Sequence, residues 1–259
     1  MKYETIEVEK HEEYVASLKL NRPEKLNTFS RQMAEELDSA LKEMDEEAGI
    51  RAIIIRGEGK VFCAGIDVNE LNNLSALEYR QLVEIMEQPF VTISKMKKPV
   101  IASVHGVAAA NGMGIVASAD LAIASDSARM GLTAINVGLN CVGPVIPVAR
   151  SVGRKKALEM LLYGDLFPAD EALKLGLINR TAPAEDLEKE TLAWARKLAE
   201  KSPIAVQMAK KAFYSSEDMD YEKQFAYMNE VFAHLCTTED SKEGISAFFE
   251  KRKPQWKEK

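Results

Sequence analysis

An α/β core followed by a helical C-terminal region is the fold class this sequence predicts, on three observations. Short runs of β-branched and apolar residues alternate with helical periodicities as far as about Val142. Beyond that point six stretches read as helix and one as extended. No low-complexity segment, charge block or Gly/Ser linker separates the two halves, so no flexible junction is expected between them. The boundary is placed between residues 1–195, the core, and residues 196–259, the helical C-terminal region.

Extended runs are expected at 5–8, 15–20, 52–57, 100–104 and 121–125, each bounded by turn residues. Between them, Ser30 caps a helix in which Met33, Leu37, Leu41 and Met44 recur at helical spacing, with Gly49 as its stop. Ser75 and Glu78 have the spacing of a capping box, each side chain satisfying a free N–H near the other. The helix they open is expected to reach Met96, ahead of Pro99. After Val142, helices are expected at 155–162, 169–175, 184–201, 204–214, 221–235 and 238–249, with 177–181 extended. These helices carry more apolar faces than a small lobe can bury alone, so neighbouring subunits are expected to cover some of them.

Composition excludes several function classes. The net charge of −6 provides no electrostatic footprint for general nucleic-acid binding, which relies on clustered Lys and Arg to neutralise phosphates. No apolar run approaches the roughly 20 residues that a bilayer span requires. The polar, acidic first residues resemble neither a secretory signal nor a transit peptide, so a cytoplasmic location is expected. Cys63, Cys141 and Cys236 are odd in number and irregularly spaced, which fits reduced thiols and neither a disulfide framework nor a zinc site. His11, His105 and His234 suggest neither a metal site nor a catalytic triad. The one basic cluster, at 251–259, reads equally as a solvated terminus or as a contact for an anionic ligand.

Two turns are the places where chemistry is expected. The first, Val61 through Val68, is a small-residue turn that leaves a strand region and enters a helical one. The second, His105 through Gly114, follows a strand and opens a helix whose first N–H groups have no internal partner. Small residues allow close backbone approach, and a helix start favours developing negative charge. Brought face to face, the turns would aim two backbone N–H donors at one oxygen, an oxyanion hole; losing one donor of such a pair costs on the order of 10²–10³ in rate. Either turn alone more often means close packing.

Together the turns resemble the enoyl-CoA hydratase/isomerase (crotonase) superfamily, whose members show an AG-x-D turn and then a glycine-rich one. The likeness extends to Asn21, Arg22, Pro23 and Asn27, to Ala119, Asp120 and Leu121, to 162–165, to 172–177 and to the ending at 248–254. It thus covers nearly the whole chain, and 138–141 with 155–161 resemble one branch of the family. The resemblance implies a crotonase-type ββα spiral core, a helical C-terminal trimerisation region, a trimer or dimer of trimers, and an acyl-CoA thioester as ligand. No metal is implied, and no cofactor beyond the coenzyme A of the substrate. Position by position, the resemblance makes Ile66 and Asn111 the oxyanion donors. Lys25 and Leu26 fall at the adenine and ribose end, with Ala64, Asp67 and Val68 along the same groove. Gly112, Ala134 and Asn136 fall on the substrate side. Phe248 and Lys251 match a Phe and Lys that reach the nucleotide from a neighbouring subunit, the ammonium meeting a phosphate as a point charge.

The family pattern is then broken at two positions. Hydratases carry one glutamate just after the second turn and another after the next strand; here those places hold Gly114 and Ala134. Neither moves a proton, and a positioned acid or base contributes ~10²–10⁴ in rate. Asn111 replaces a small residue, and its amide either caps the helix or adds polar contacts near the thioester. Asn136, Asn140 and Cys141 are placed either toward the acyl pocket or in core and capping roles, and Cys141 lacks a recognisable base. Asp67, Glu70 and Glu84 are the candidate acids that remain, although the carboxylate of an AG-x-D turn generally has a structural role and the two glutamates read most easily as solvated helix residues. Three readings stay open: an enzyme acting through oxyanion stabilisation, a non-catalytic acyl-CoA binder or scaffold, and a slow hydratase with unusual residues.

Overall fold

Alternating β-branched runs and amphipathic helices produce a mixed α/β fold, and the computed structural model describes residues 3–259 of it. The strands are β1 (Ile6–Lys10), β2 (Val15–Leu20), β3 (Ala52–Gly57), β4 (Val100–Val104), β5 (Val107–Ala109), β6 (Leu121–Ser125), β7 (Arg129–Gly131), β8 (Phe167–Pro168) and β9 (Arg180–Ala182). The α-helices are α1 (Arg31–Glu46), α2 (Ala76–Lys95), α3 (Asn111–Ser118), α4 (Val145–Val152) and α5 (Arg154–Tyr163), followed by α6 (Ala169–Lys174), α7 (Leu187–Ala199), α8 (Pro203–Ser216), α9 (Tyr221–Cys236) and α10 (Glu239–Glu250).

A six-stranded sheet runs in the order β1-β2-β3-β4-β6-β9, with β1 antiparallel to β2 and the remaining pairs parallel. Its two faces enter different cores, because successive side chains of a strand point to opposite sides. Ile53 and Ile55 of β3 join the core formed with α1, α2 and α3, while Ile54 meets Ile101, Ile123 and the Leu187 and Ala195 side chains of α7. Every residue of β4 is buried, as expected of a parallel strand covered on both faces.

The caps form as the sequence predicts. Ser30 accepts a hydrogen bond from the Met33 N–H, and α1 buries Met33, Leu37, Leu41 and Met44. This helix stops at Glu46, short of Gly49. Ser75 and Glu78 form a reciprocal capping box, and α2 continues through Pro89 to Lys95. The extended run expected at 177–181 becomes a strand at Arg180–Ala182, paired with β6. A second sheet, β5-β7-β8, and helix α4 are additions that carry no periodic signal in the sequence.

One buried ion pair ties α8 to the sheet. Lys210 Nζ donates to Asp120 Oδ2 at 2.7 Å and to the Lys98 carbonyl at 2.8 Å. Asp120 also accepts from the Val100 N–H at 2.7 Å and from the Tyr214 hydroxyl at 3.0 Å. Burial pushes the Asp120 carboxyl up and the Lys210 ammonium down, and the surrounding donors oppose that tendency. Elsewhere the C-terminal helices leave Phe213, Phe225, Phe232, Phe248 and Phe249 exposed. Among the described residues no helix is long and apolar enough to cross a membrane.

Candidate functional site

Backbone hydrogen bonds hold the two small-residue turns side by side. Phe62 N–H donates to the His105 carbonyl at 3.0 Å and Cys63 N–H to the Val107 carbonyl at 3.1 Å, while Ala109 N–H donates to the Cys63 carbonyl at 2.9 Å. The first turn is therefore an extra strand-like segment laid along β5. Close approach requires small residues on both sides. A Cβ on Gly65, whose φ is +106°, would lie 3.1 Å from that of Ala110. Ala110 is itself held at φ 48° and ψ −110°, a sparsely populated conformation that costs on the order of 1–3 kcal/mol. Its N–H is fastened to the Gly131 carbonyl of β7 at 2.9 Å.

This arrangement frees two N–H groups. Phe29 forms a parallel bridge with Ile66, in which Phe29 N–H donates to Gly65 O at 2.7 Å and Asp67 N–H donates to Phe29 O at 3.0 Å. In such a bridge the flanking residues face the partner strand, so the Ile66 N–H is turned away from Phe29. Asn111 is the first residue of α3, where an N–H has no intrahelical acceptor. Neither N–H meets an acceptor among the described residues. Both residues line one cavity of about 620 Å³, a size suited to a small ligand group.

The wall of that cavity is largely apolar. Val68, Tyr79, Val83 and Met86 contribute to it, as do Ala134, Leu139 and Cys141. Burial pushes the Cys141 thiol above its ordinary value, against activation as a nucleophile. Cys63 belongs to the first turn, and burial pushes its thiol up to about 12. Asn111 is buried, yet its amide makes no hydrogen bond to described residues, and the helix is not capped by a side chain. Capping is thus not the role its side chain plays. Gly114 follows on the same face of α3, where an added Cβ would lie 2.8 Å from Phe90 Cζ and 3.1 Å from Pro144 Cβ. Aromatic and proline side chains occupy the volume that a side chain at Gly114 would need.

Other residues singled out by sequence are placed as follows. The Leu26 carbonyl accepts from the Ala64 N–H at 3.1 Å, so the exposed Lys25–Leu26 turn abuts the first turn at its outer end. Asp67 faces away from the cavity. It accepts from Arg22 Nη2 at 2.9 Å and from the Asn69 side chain at 2.8 Å. Burial disfavours its charge, but these hydrogen bonds outweigh burial and hold the carboxyl below the usual range. Gly112 is buried in α3 against Cys63. Asn136 is not brought to the cavity: it is exposed, and its amide donates to the Gly164 carbonyl at 3.0 Å, at the end of α5. Phe248 lines a separate cleft of about 480 Å³ with Phe249 and Trp256, and Lys251 ends α10 beside it.

Of the candidate acids in the sequence, Asp67, Glu70 and Glu84, none lines the cavity, in keeping with structural and solvated roles. Glu84 is exposed and bonded to Arg80 at 2.9 Å. The carboxylate that does line it is Glu87 of α2. Its trace in the sequence is a charged residue four positions after Val83 and three before Phe90, within the apolar stripe of an amphipathic helix.

Known proteins share this architecture. The family profile described as enoyl-CoA hydratase/isomerase matches residues 10–259. Mouse "enoyl-CoA hydratase domain-containing protein 3, mitochondrial" is 35% identical over 243 residues, covering 93% of this chain and 81% of the relative. The crystal structure of an enoyl-CoA hydratase from Mycobacterium smegmatis superposes with a TM-score of 0.94 at 37% identity, covering 98% of this chain and 99% of that one. That of human enoyl coenzyme A hydratase domain-containing protein 3 gives 0.93 at 34% identity, covering 98% and 100%. The chain belongs to the enoyl-CoA hydratase/isomerase family and has its crotonase-type α/β fold.

Proposed function

We propose that the protein binds an acyl-CoA thioester and stabilises the enolate oxyanion formed from it, with the Ile66 and Asn111 N–H groups as donors. One observation carries the reading: both groups lack acceptors and belong to the same mainly apolar cavity. In such a site, fixed donors gain strength from the low dielectric and need no reorganisation as charge develops. The coenzyme A portion runs past Val68 and Ala64 toward Lys25 and Leu26, while Gly112 and Ala134 flank the acyl group. Asp67 serves this groove indirectly, by fixing Arg22 and the turn after Ile66. Asn136 supports the loop around Ala134 from outside. Phe248 and Lys251 act across a subunit boundary in a trimer or dimer of trimers, which would also cover the exposed phenylalanines of α8, α9 and α10.

Gly114 and Ala134 remove the two glutamates by which hydratases of this family handle water, so hydration is not the reaction assigned. They also favour a second reading, a catalytically silent acyl-CoA binder. Titration calorimetry with a panel of acyl-CoAs, followed by mass spectrometry of the same mixtures, separates the two. Binding with consumption or isotope exchange of a thioester supports the first. Binding with neither supports the second, and absence of binding across the panel rejects both.

A further inference from the structure

Glu87 is the one carboxylate on the cavity wall among the described residues, and none of them neutralises it. Its Oε1 lies so close to Gly143 that a Cβ there would fall 1.7 Å away, so the side chain is seated against the backbone of the 139–144 loop. Among the described residues it forms no ion pair and no hydrogen bond, in contrast to Glu78, held by Ser75, and Glu84, held by Arg80. Arg150 also lines the neighbouring cleft that Glu87 borders, but it is committed to Glu217 and Asp218. Burial pushes the Glu87 carboxyl above its ordinary value, with the Glu84 charge adding to the effect. A half-buried carboxylate without partners is unfavourable for folding, and such groups concentrate where a proton has to be moved.

The position of Glu87 matters as much as its isolation. One turn further along α2, Phe90 covers Gly114, so α3 presents no acid to the cavity. α2 therefore brings a carboxylate to a cavity wall from which α3 has none to offer. We propose that Glu87 is the proton carrier of this site, a role that rests on the acyl-CoA reading above. The Cα–H bond of the bound thioester breaks, and its electron pair becomes the C=C bond of the enolate. Negative charge moves to the thioester oxygen at the Ile66 and Asn111 N–H groups, and the proton moves to a Glu87 oxygen. Return of the proton to Cα restores the thioester; with a β,γ-unsaturated acyl group, delivery to the γ-carbon shifts the double bond. Neither outcome requires a second carboxylate or the addition of water to the thioester, and exchange of the proton on Glu87 with solvent between the two transfers is what brings deuterium to Cα.

The test uses the full-length protein in D₂O with butyryl-CoA and vinylacetyl-CoA. Affinity is read by calorimetry and deuterium uptake at Cα by mass spectrometry, for wild type and for Glu87→Gln and Glu87→Asp. Glu87→Gln is expected to bind within about twofold of wild type and to exchange ~10²–10⁴-fold more slowly, with Glu87→Asp partly active. Exchange by Glu87→Gln at the wild-type rate, or wild-type binding without any exchange, overturns the role of Glu87 while leaving thioester binding intact. Failure of the wild type to bind either thioester rejects the underlying reading, and the role of Glu87 falls with it.

Discussion

Gly112 sits so close to Cys63 that a Cβ at position 112 would lie 2.5 Å from the Cys63 carbonyl oxygen and 2.8 Å from its Cβ. The start of α3 is therefore pressed against the first turn, and that contact sets the spacing between the Ile66 and Asn111 N–H groups. Gly112→Ala forces one backbone away from the other. The expected result is destabilisation of about 1–3 kcal/mol in urea unfolding, accompanied by loss of acyl-CoA affinity in calorimetry. Wild-type values for both would show that the turns are not coupled in this way.

The Asn111 amide has no partner to lose among the described residues, so Asn111→Ala should cost less than the roughly 1 kcal/mol of a typical hydrogen bond. Its backbone N–H survives, and any change in deuterium exchange at the thioester Cα then measures what the amide side chain contributes. Unaltered exchange would remove that side chain from the mechanism and leave the main chain as its contribution.

Lys210→Met strands Asp120 among its remaining donors in the interior. Removing one partner of a buried pair costs about 3–5 kcal/mol, because the other charge stays buried. Adding Asp120→Asn to Lys210→Met should recover a large part of this loss in chemical denaturation. Equal stability of the single and double variants would show that Asp120 is not charged in the folded protein.

The carboxyl of Glu87 is raised above its ordinary value of 4.5 by burial and by Glu84. The folded chain thus holds this proton more tightly than the unfolded chain. Its contribution to stability is complete below the ordinary value and declines as pH rises through the higher, folded one. The titratable and charged groups that share its surroundings are Glu84 and Tyr79 on α2, Cys141 on the cavity wall, and Asp120, Arg150, Tyr214 and Glu217 along the neighbouring cleft. Melting temperatures of wild type and Glu87→Gln should differ by a constant offset below pH 4.5 and shift in favour of the variant as pH rises toward neutral. A pH-independent difference would mean that Glu87 has the same affinity for its proton in both states.

Much of the scaffold was legible from residue order. The β-branched runs that became β2, β3, β4 and β6 carry their signal within five or six residues. Ser30 and the Ser75–Glu78 box announce helix starts because a cap is a local bond, made three residues away. The two turns were visible for a similar reason, since small residues following a strand mark close backbone approach. Strands β5, β7 and β8, with three, three and two residues, are too short to show a period. Pro147 near the start of α4 interrupts the local helical signal of that run.

The sequence by itself determined the family, the order of the main elements and the identity of the residues at Gly114 and Ala134. Tertiary structure alone decided which N–H groups remain free, that Asn136 turns outward and that Glu87 faces the cavity. The physical reason is distance along the chain. Periodicity and capping act over one or two turns, whereas the bridges from Phe29 to Ile66 and from Cys63 to Ala108 join segments tens of residues apart. Those bridges form when the chain closes on itself, and they determine which backbone groups are left without partners.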